Sequence, residues 1–220
     1  MTDFAAARRM MVDNQVRPAN VTDPRLIGAM LDLPRERFLP DGKAALAYLD
    51  LDLAVGENRA PRRLLKPMVL AKLIQLADIG ETDRVLDVGS ATGYSAALLS
   101  RLAANVVALE GDTTLSRRAA EALGAAGVAN VKAVTGPLVE GRAADGPYDV
   151  IVLEGATEIV PDALFRQLRD GGRLVCVMGA GPGGKGMLYR ATDGDVSGRA
   201  VFEATATLLP GFARQPAFVF

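Results

Sequence analysis

The stretch from Val85 to Leu99, VLDVGSATGYSAALL, constrains this chain more than any other. An apolar strand carrying the acid Asp87 runs through Gly89 and Gly93 into an apolar, helix-forming segment. Small residues from 89 to 93 let the backbone turn sharply and approach a ligand closely, and a helix starting near Tyr94 aims its unpaired N–H groups at whatever sits there. Such a turn is the phosphate- or nucleoside-binding corner of a doubly wound α/β sheet. The next apolar run, Asn105 to Glu110 (NVVALE), ends in an acid, at about the twenty-residue separation where a carboxylate accepts the ribose hydroxyls of an adenosine ligand. Glu110 is the ribose candidate, with Asp112 near enough in sequence to compete for the role.

The pattern around this turn predicts alternating strands and helices: strand 84–89, helix from about 93, strand 105–110, helix 114–126, strands 130–135 and 148–153, helix 161–169 closed by Gly171 and Gly172, and strand 173–178. Alternation of this kind gives a mostly parallel sheet with helices on both faces. MLYRAT and VFEATATLL flank the turn-rich DGDVSG, which predicts an antiparallel hairpin over 187–209 on one sheet edge. Residues 3–80 read as largely helical, with one helix capped by Thr22 and carrying Pro24 early, and another over LLKPMVLAKLIQLADI. The expected organisation is one domain: residues 1–80 an N-terminal helical cap and acceptor-side loop, residues 81–220 an α/β core.

Composition narrows the chemistry. The chain has no histidine, which removes the commonest general base and the commonest metal ligand together. Its single cysteine, Cys176, lies in the apolar run RLVCVMG and reads as a core residue in a reducing, cytoplasmic setting. No metal site is expected. A formal net charge of −1 provides no overall basic field for nucleic acid, so none is expected as a partner. The opening MTDFAAARRMMVDNQ has acids at Asp3 and Asp13 and does not read as a signal peptide, and no apolar run is long enough to span a bilayer.

Two nucleotide motifs fail on their details. A dinucleotide fingerprint starting at Gly89 would need glycines where the chain has Ala91 and Tyr94, which disfavours NAD. Gly179 to Gly186, GAGPGGKG, mimics a phosphate loop but has Gly186 where Ser or Thr must bind magnesium, and MLYRAT follows where a helix must start. A flexible loop over 179–186 with a solvated Lys185 is the expectation there.

The pattern D-x-G-x-x-x-G at 87–93 resembles motif I of class I S-adenosylmethionine-dependent methyltransferases. Over nearly its whole length the chain resembles the protein-L-isoaspartate O-methyltransferase family: MMVDNQVRP, LPRERFLP, LAYLDLDLAVGE, VLDVGSATGY, NVVALE and YDVIVLEGATEIVPDALFRQLRDGGRLVCVMG carry the likeness. The resemblance implies a Rossmann-like methyltransferase fold, S-adenosyl-L-methionine as cofactor, and a carboxylate acceptor in a damaged protein or peptide, hence a role in protein repair. It places the cofactor at Asp87, Gly89, Ser90, Ala91, Gly93, Glu110, Gly136, Pro137, Leu138 and Glu154. In-line methyl transfer to an ionised carboxylate needs alignment and no general base, which suits a chain without histidine.

The chain departs from the family on the acceptor side. Where the family reads T-I-S-x-P, this chain has Arg63, Leu64, Leu65, Lys66 and Pro67, so both hydroxyls are absent at the expected catalytic positions Arg63 and Leu65. About three residues are inserted between Gly56 and Pro67. Gly136, Pro137 and Leu138 replace the family's Gly-Asp-Gly, removing an acid from the adenine side. Two readings follow: a methyltransferase whose acceptor is isoaspartate or a changed acidic group gripped by Arg62, Arg63 and Lys66, or a non-catalytic S-adenosylmethionine-binding module.

Overall fold

Runs of Val, Ile and Leu bounded by turn residues fold into the middle of a sheet, and helices with one apolar face cover it. A computed structural model describes residues 3–56 and 62–214. In chain order the elements are α1 (Phe4–Met11), α2 (Pro24–Asp32), β1 (Leu53–Ala54), β2 (Arg63–Leu64), α3 (Pro67–Ala77), β3 (Arg84–Val88), α4 (Tyr94–Leu99), β4 (Asn105–Glu110), α5 (Thr113–Ala125) and β5 (Val131–Thr135). They continue with β6 (Tyr148–Thr157), α6 (Asp162–Phe165), β7 (Leu168–Met178), β8 (Lys185–Thr192) and β9 (Asp195–Glu203).

The main sheet runs β5-β4-β3-β6-β7-β8-β9. Its first five strands are parallel, and β8 and β9 add antiparallel to the β7 edge. The chain winds outward from β3 through β4 to β5, then returns to lay β6 on the other side of β3. The strand order therefore reverses between β3 and β6, and ligands in open α/β sheets bind outside the carboxyl ends at such a switch point. That point is the Gly89 turn.

Register decides which side chains meet there. Asp87 pairs with Ala108 of β4 and Val152 of β6, and Val88 with Leu109 and Leu153. Glu110, Gly89 and Glu154 thus occupy the next rung on three adjacent strands, and period-two alternation puts Asp87 on the same face as both glutamates. This face buries Val85, Val106, Ala108, Val150, Val152 and Val175 under the N-terminal helices, whereas Leu86, Val88, Leu109, Ile151, Leu174 and Cys176 fill the opposite core. Burial pushes the Cys176 thiol up to about 12, so it stays protonated and packs as an apolar group.

Several predicted boundaries move for identifiable reasons. The cap of α2 is Asp23, whose carboxylate accepts from Arg25 N at 2.8 Å, while Thr22 N donates to Gln75. The helix predicted over 161–169 stops at Phe165, because Gln167 turns its carbonyl to Tyr148 N and its side chain to the Glu140 and Ala163 carbonyls. The glycines at 171 and 172 consequently sit in an irregular stretch of β7, where the register slips between Leu168 and Arg173, rather than capping a helix. The hairpin turn is only Asp193–Gly194, both with positive φ, so DVSG belongs to β9 and residues 204–209 leave the ladder. Lys185 lies in β8 and is ion-paired with Glu203 across the hairpin, so the irregular loop ends at 184. Among the described residues, no helix is long and apolar enough to cross a membrane and no cluster of His, Cys, Asp and Glu could hold a metal.

Candidate active site at the Gly89 turn

Gly89 leaves β3 at φ +82°, a conformation that costs an L side chain steric strain. A Cβ there would lie 2.5 Å from Arg62 Nη2 and 3.0 Å from Leu209, so the turn needs both the dihedral freedom and the space. Gly93 begins α4, and a Cβ on it would approach Ala119 of α5 to 3.1 Å, so this glycine lets the two helices close together. Between them Ala91 takes φ +51° and points its N–H into the site. Tyr94 fits the position where a dinucleotide fold wants glycine because its ring is fully buried between Phe38 and the Arg35 guanidinium, 4.7 Å above it.

Glu110 is 1% exposed and accepts four hydrogen bonds. Oε2 receives Ala91 N at 2.8 Å and Arg62 Nε at 3.3 Å; Oε1 receives Gly111 N at 2.8 Å and Asp112 N at 3.3 Å. Asp112 itself caps α5, its Oδ1 accepting from Thr114 N and Leu115 N. Asp87 Oδ2 accepts from the Ser95 hydroxyl at 2.7 Å, and its Oδ1 is buried with no partner. Burial, reinforced by the Glu110 charge against the opposing pull of Ser95 and Arg62, raises the Asp87 carboxyl to about 7. Glu154 is raised well above the usual carboxylate range by burial and by Asp87, and its Oε1 is also unpartnered. Ser90 Oγ completes a set of buried, unanswered polar atoms around the turn.

Beside Glu110 opens a cavity of 430 Å³ walled by Arg62, Gly111, Pro137, Leu138, Pro210 and Gly211. Gly136 donates its N–H to the Glu110 carbonyl at 3.1 Å, which aims Pro137 and Leu138 at this wall. The arrangement offers an apolar slot for a base, a carboxylate for a diol, and two more carboxylates for a positively charged tail. These features fit S-adenosylmethionine: the unpartnered oxygens of Asp87 and Glu154 answer its cationic half, and Gly89 adds no side chain of its own to the turn. A second cavity of 530 Å³ lies between residues 37–41 and α5. It meets the turn only through Thr92, whose hydroxyl already donates to the Phe38 carbonyl at 2.5 Å, and it holds none of the three carboxylates.

On the acceptor side the structure separates what the sequence groups together. Alternation through Arg62 and the two residues of β2 turns Arg62 and the buried Leu64 inward and Arg63 the other way. Arg63 donates to the Asp52 carbonyl at 2.9 Å, and Lys66 Nζ donates to Thr205 Oγ1 at 3.0 Å. Leu65 is 2% exposed within the core, and its carbonyl accepts from Arg35 Nη2 at 2.8 Å. Arg62, Arg63 and Lys66 therefore do not form one anion-gripping cluster, and only Arg62 reaches Glu110 and the turn. The residues inserted near 57–61 lie outside the described residues. Sequence reasoning also missed Ser95, Arg35 and the segment 207–211, which touch the site through tertiary contacts that no local pattern announces.

Over residues 6–204 the sequence matches the profile of the protein-L-isoaspartate(D-aspartate) O-methyltransferase (PCMT) family. The chain belongs to this family. It is 37% identical over 180 residues to the protein-L-isoaspartate O-methyltransferase of Koribacter versatilis (strain Ellin345), covering 82% of this chain and 80% of that one. A solved protein-L-isoaspartate O-methyltransferase superposes with a TM-score of 0.82 at 25% identity, over 93% of this chain and 66% of that one. A Plasmodium falciparum protein solved in complex with S-adenosyl-L-homocysteine shares the fold, with a TM-score of 0.74 at 16% identity over 95% and 99% of the two chains.

Proposed function

We propose that this PCMT-family chain is an S-adenosylmethionine-dependent O-methyltransferase that methylates a carboxylate, either that of isoaspartyl residues in proteins or that of a related acidic acceptor. The observation that carries this reading is the end of the sheet at the switch point, where Glu110 of β4 and Glu154 of β6 flank Gly89, the residue after β3, with Asp87 on the same face. S-adenosylmethionine supplies a methyl group on a sulfonium. Glu110 accepts the ribose hydroxyls, Pro137 and Leu138 pack against the base, and Asp87 and Glu154 meet the cationic half. Residues 1–80 form the acceptor-side cap as an integral part of one domain, and its helices shield the site from water. The acceptor carboxylate arrives ionised, so position carries the reaction and a chain without histidine can perform it. The partner is a protein or peptide, and the setting a reducing cytoplasm.

Leu65 and Arg63 favour an altered acceptor over an unchanged one. Leu65 presents an apolar side chain sealed in the core where a hydroxyl is expected, which removes a hydrogen bond worth about 2–4 kcal/mol in a closed site, or roughly 30- to 1000-fold in rate. The test is transfer of labelled methyl from S-adenosylmethionine to an isoaspartyl peptide, beside a chain carrying Arg63→Thr and Leu65→Ser. Slow transfer by the native chain, rising in the double substitution, is expected. Cofactor binding without transfer in either chain would instead support the non-catalytic binding module.

A further inference from the structure

A carboxylate has about four lone-pair positions, and all four on Glu110 are filled in the free protein. Three of the donors, the N–H groups of Ala91, Gly111 and Asp112, are main-chain groups fixed by the turn after β3 and the entry to α5. The fourth is the Arg62 side chain, at 3.3 Å from Oε2. A ribose hydroxyl brought to the same carboxylate needs one of these positions, and the one held by a side chain rather than by the main chain is that of Arg62. Arg62 also donates through Nη2 to the Gly89 carbonyl at 2.5 Å, which lays the guanidinium across the turn itself.

The Arg62 main chain is pinned. Its carbonyl accepts from Val55 N at 2.8 Å and Gly56 N at 3.4 Å, so exchange needs only a rotation of the side chain. A guanidinium withdrawn from Glu110 is a cation without its anion, on the face where the N-terminal cap meets the site. Arg63 and Lys66 are engaged with Asp52 and Thr205, which leaves Arg62 as the side chain placed to change partners.

We propose that Arg62 exchanges Glu110 for the acceptor: the cofactor's ribose displaces its guanidinium, which then holds the carboxylate of the acidic acceptor, so that the donor must bind first. This rests on the function proposed above. Arg62 is a binding residue for the acceptor and, until released, an internal competitor of the cofactor.

The experiment is calorimetry with S-adenosylhomocysteine on the wild type, Arg62→Gln and Arg62→Lys, followed by anisotropy of a labelled isoaspartyl peptide with and without saturating S-adenosylhomocysteine. Arg62→Gln should bind S-adenosylhomocysteine about ten- to a hundredfold more tightly, the equivalent of one hydrogen bond to a charged group. Its free form should melt lower than the wild type, yet gain more melting temperature on loading. Wild-type affinity for the peptide should rise at least about tenfold when S-adenosylhomocysteine is present, a gain lost in Arg62→Gln and partly kept in Arg62→Lys. Equal or weaker S-adenosylhomocysteine binding by Arg62→Gln would overturn the competition. A peptide affinity indifferent to S-adenosylhomocysteine, peptide binding undetectable in every state, or a gain that survives in Arg62→Gln would overturn the exchange onto the acceptor. Absence of binding in all three chains would instead remove the cofactor reading on which the proposal stands.

Discussion

Glu110 and Glu154 stand at the same height on either side of Gly89, yet their surroundings are opposite. Every acceptor position of Glu110 is met, three of them by main-chain N–H groups, whereas Glu154 keeps a buried oxygen with no partner. The difference lies in what the chain does next. After Glu110 it turns at once into α5, and the turn folds its own N–H groups back onto the carboxylate. After Glu154 the strand runs on to Thr157, and its main chain is committed sideways, with Ala156 N bonded to the Thr207 carbonyl and the Ala156 carbonyl to Leu209 N, each at 2.8 Å. A strand that ends can solvate its own anion; a strand that continues cannot. One side of the site is therefore rigid before any ligand arrives, and the other is left to be answered by one.

The sharpest way to break this contrast is Glu110→Ala. It removes the acceptor of four donors and strands Arg62, 8% exposed, without its anion, a loss of about 3–5 kcal/mol for a buried pair that should lower the melting temperature by about 6–20 °C at this length. Denaturant unfolding of Glu110→Ala beside Glu154→Gln checks it. The second substitution should be near neutral, and comparable losses in both would erase the distinction. Gly89→Ala comes next, at about 1–3 kcal/mol, because it combines a left-handed φ with a Cβ 2.5 Å from Arg62 Nη2. Pairing it with Arg62→Ala should recover part of the loss, whereas simple additivity would show that the dihedral alone is responsible.

A smaller effect separates the two flanks by pH. The folded protein holds Asp87 at about 7, above the ordinary carboxylate value of about 4. Between those values it binds a proton that the unfolded chain does not, so this contribution to stability is present at low pH and is lost as pH rises through about 7. Melts at about pH 5 and about pH 8.5 should show a larger decline in the wild type than in Asp87→Asn, each 1 kcal/mol of difference reading as about 2–4 °C. A parallel decline in both chains would move the titration to another group. The smallest change is expected of Lys185→Ala. That residue is 44% exposed in a pair with Glu203, so stability should stay within about 0.5 kcal/mol and S-adenosylhomocysteine affinity should not change.

The parallel core was legible because each of its elements announces itself locally: Asn105–Glu110 is a buried strand by its Val and Leu run, and the Gly89 turn by its small residues. The position of Glu110 could be read for the same reason, since the acid closes the apolar run and is buried at the end of β4. Arg62 could not be singled out from Arg63, because the sequence does not say which of the two faces inward until Leu64 is seen in the core. The end of α6 was lost to tertiary structure: Gln167 gives up helical continuity to bond with Tyr148, Glu140 and Ala163. Even DGDVSG misled by abundance, since its first two residues make the whole turn and the rest is strand.

The wall that Pro210 and Gly211 give the cavity beside Glu110, with Leu209 packed over Gly89, has a consequence in time. During synthesis the glycine turn and Glu110 leave the ribosome about a hundred residues ahead of this wall, an interval of roughly 5–20 s at ordinary elongation rates. A nascent chain thus exposes Gly89 and Glu110 before Pro210 and Gly211 can close the cavity beside them.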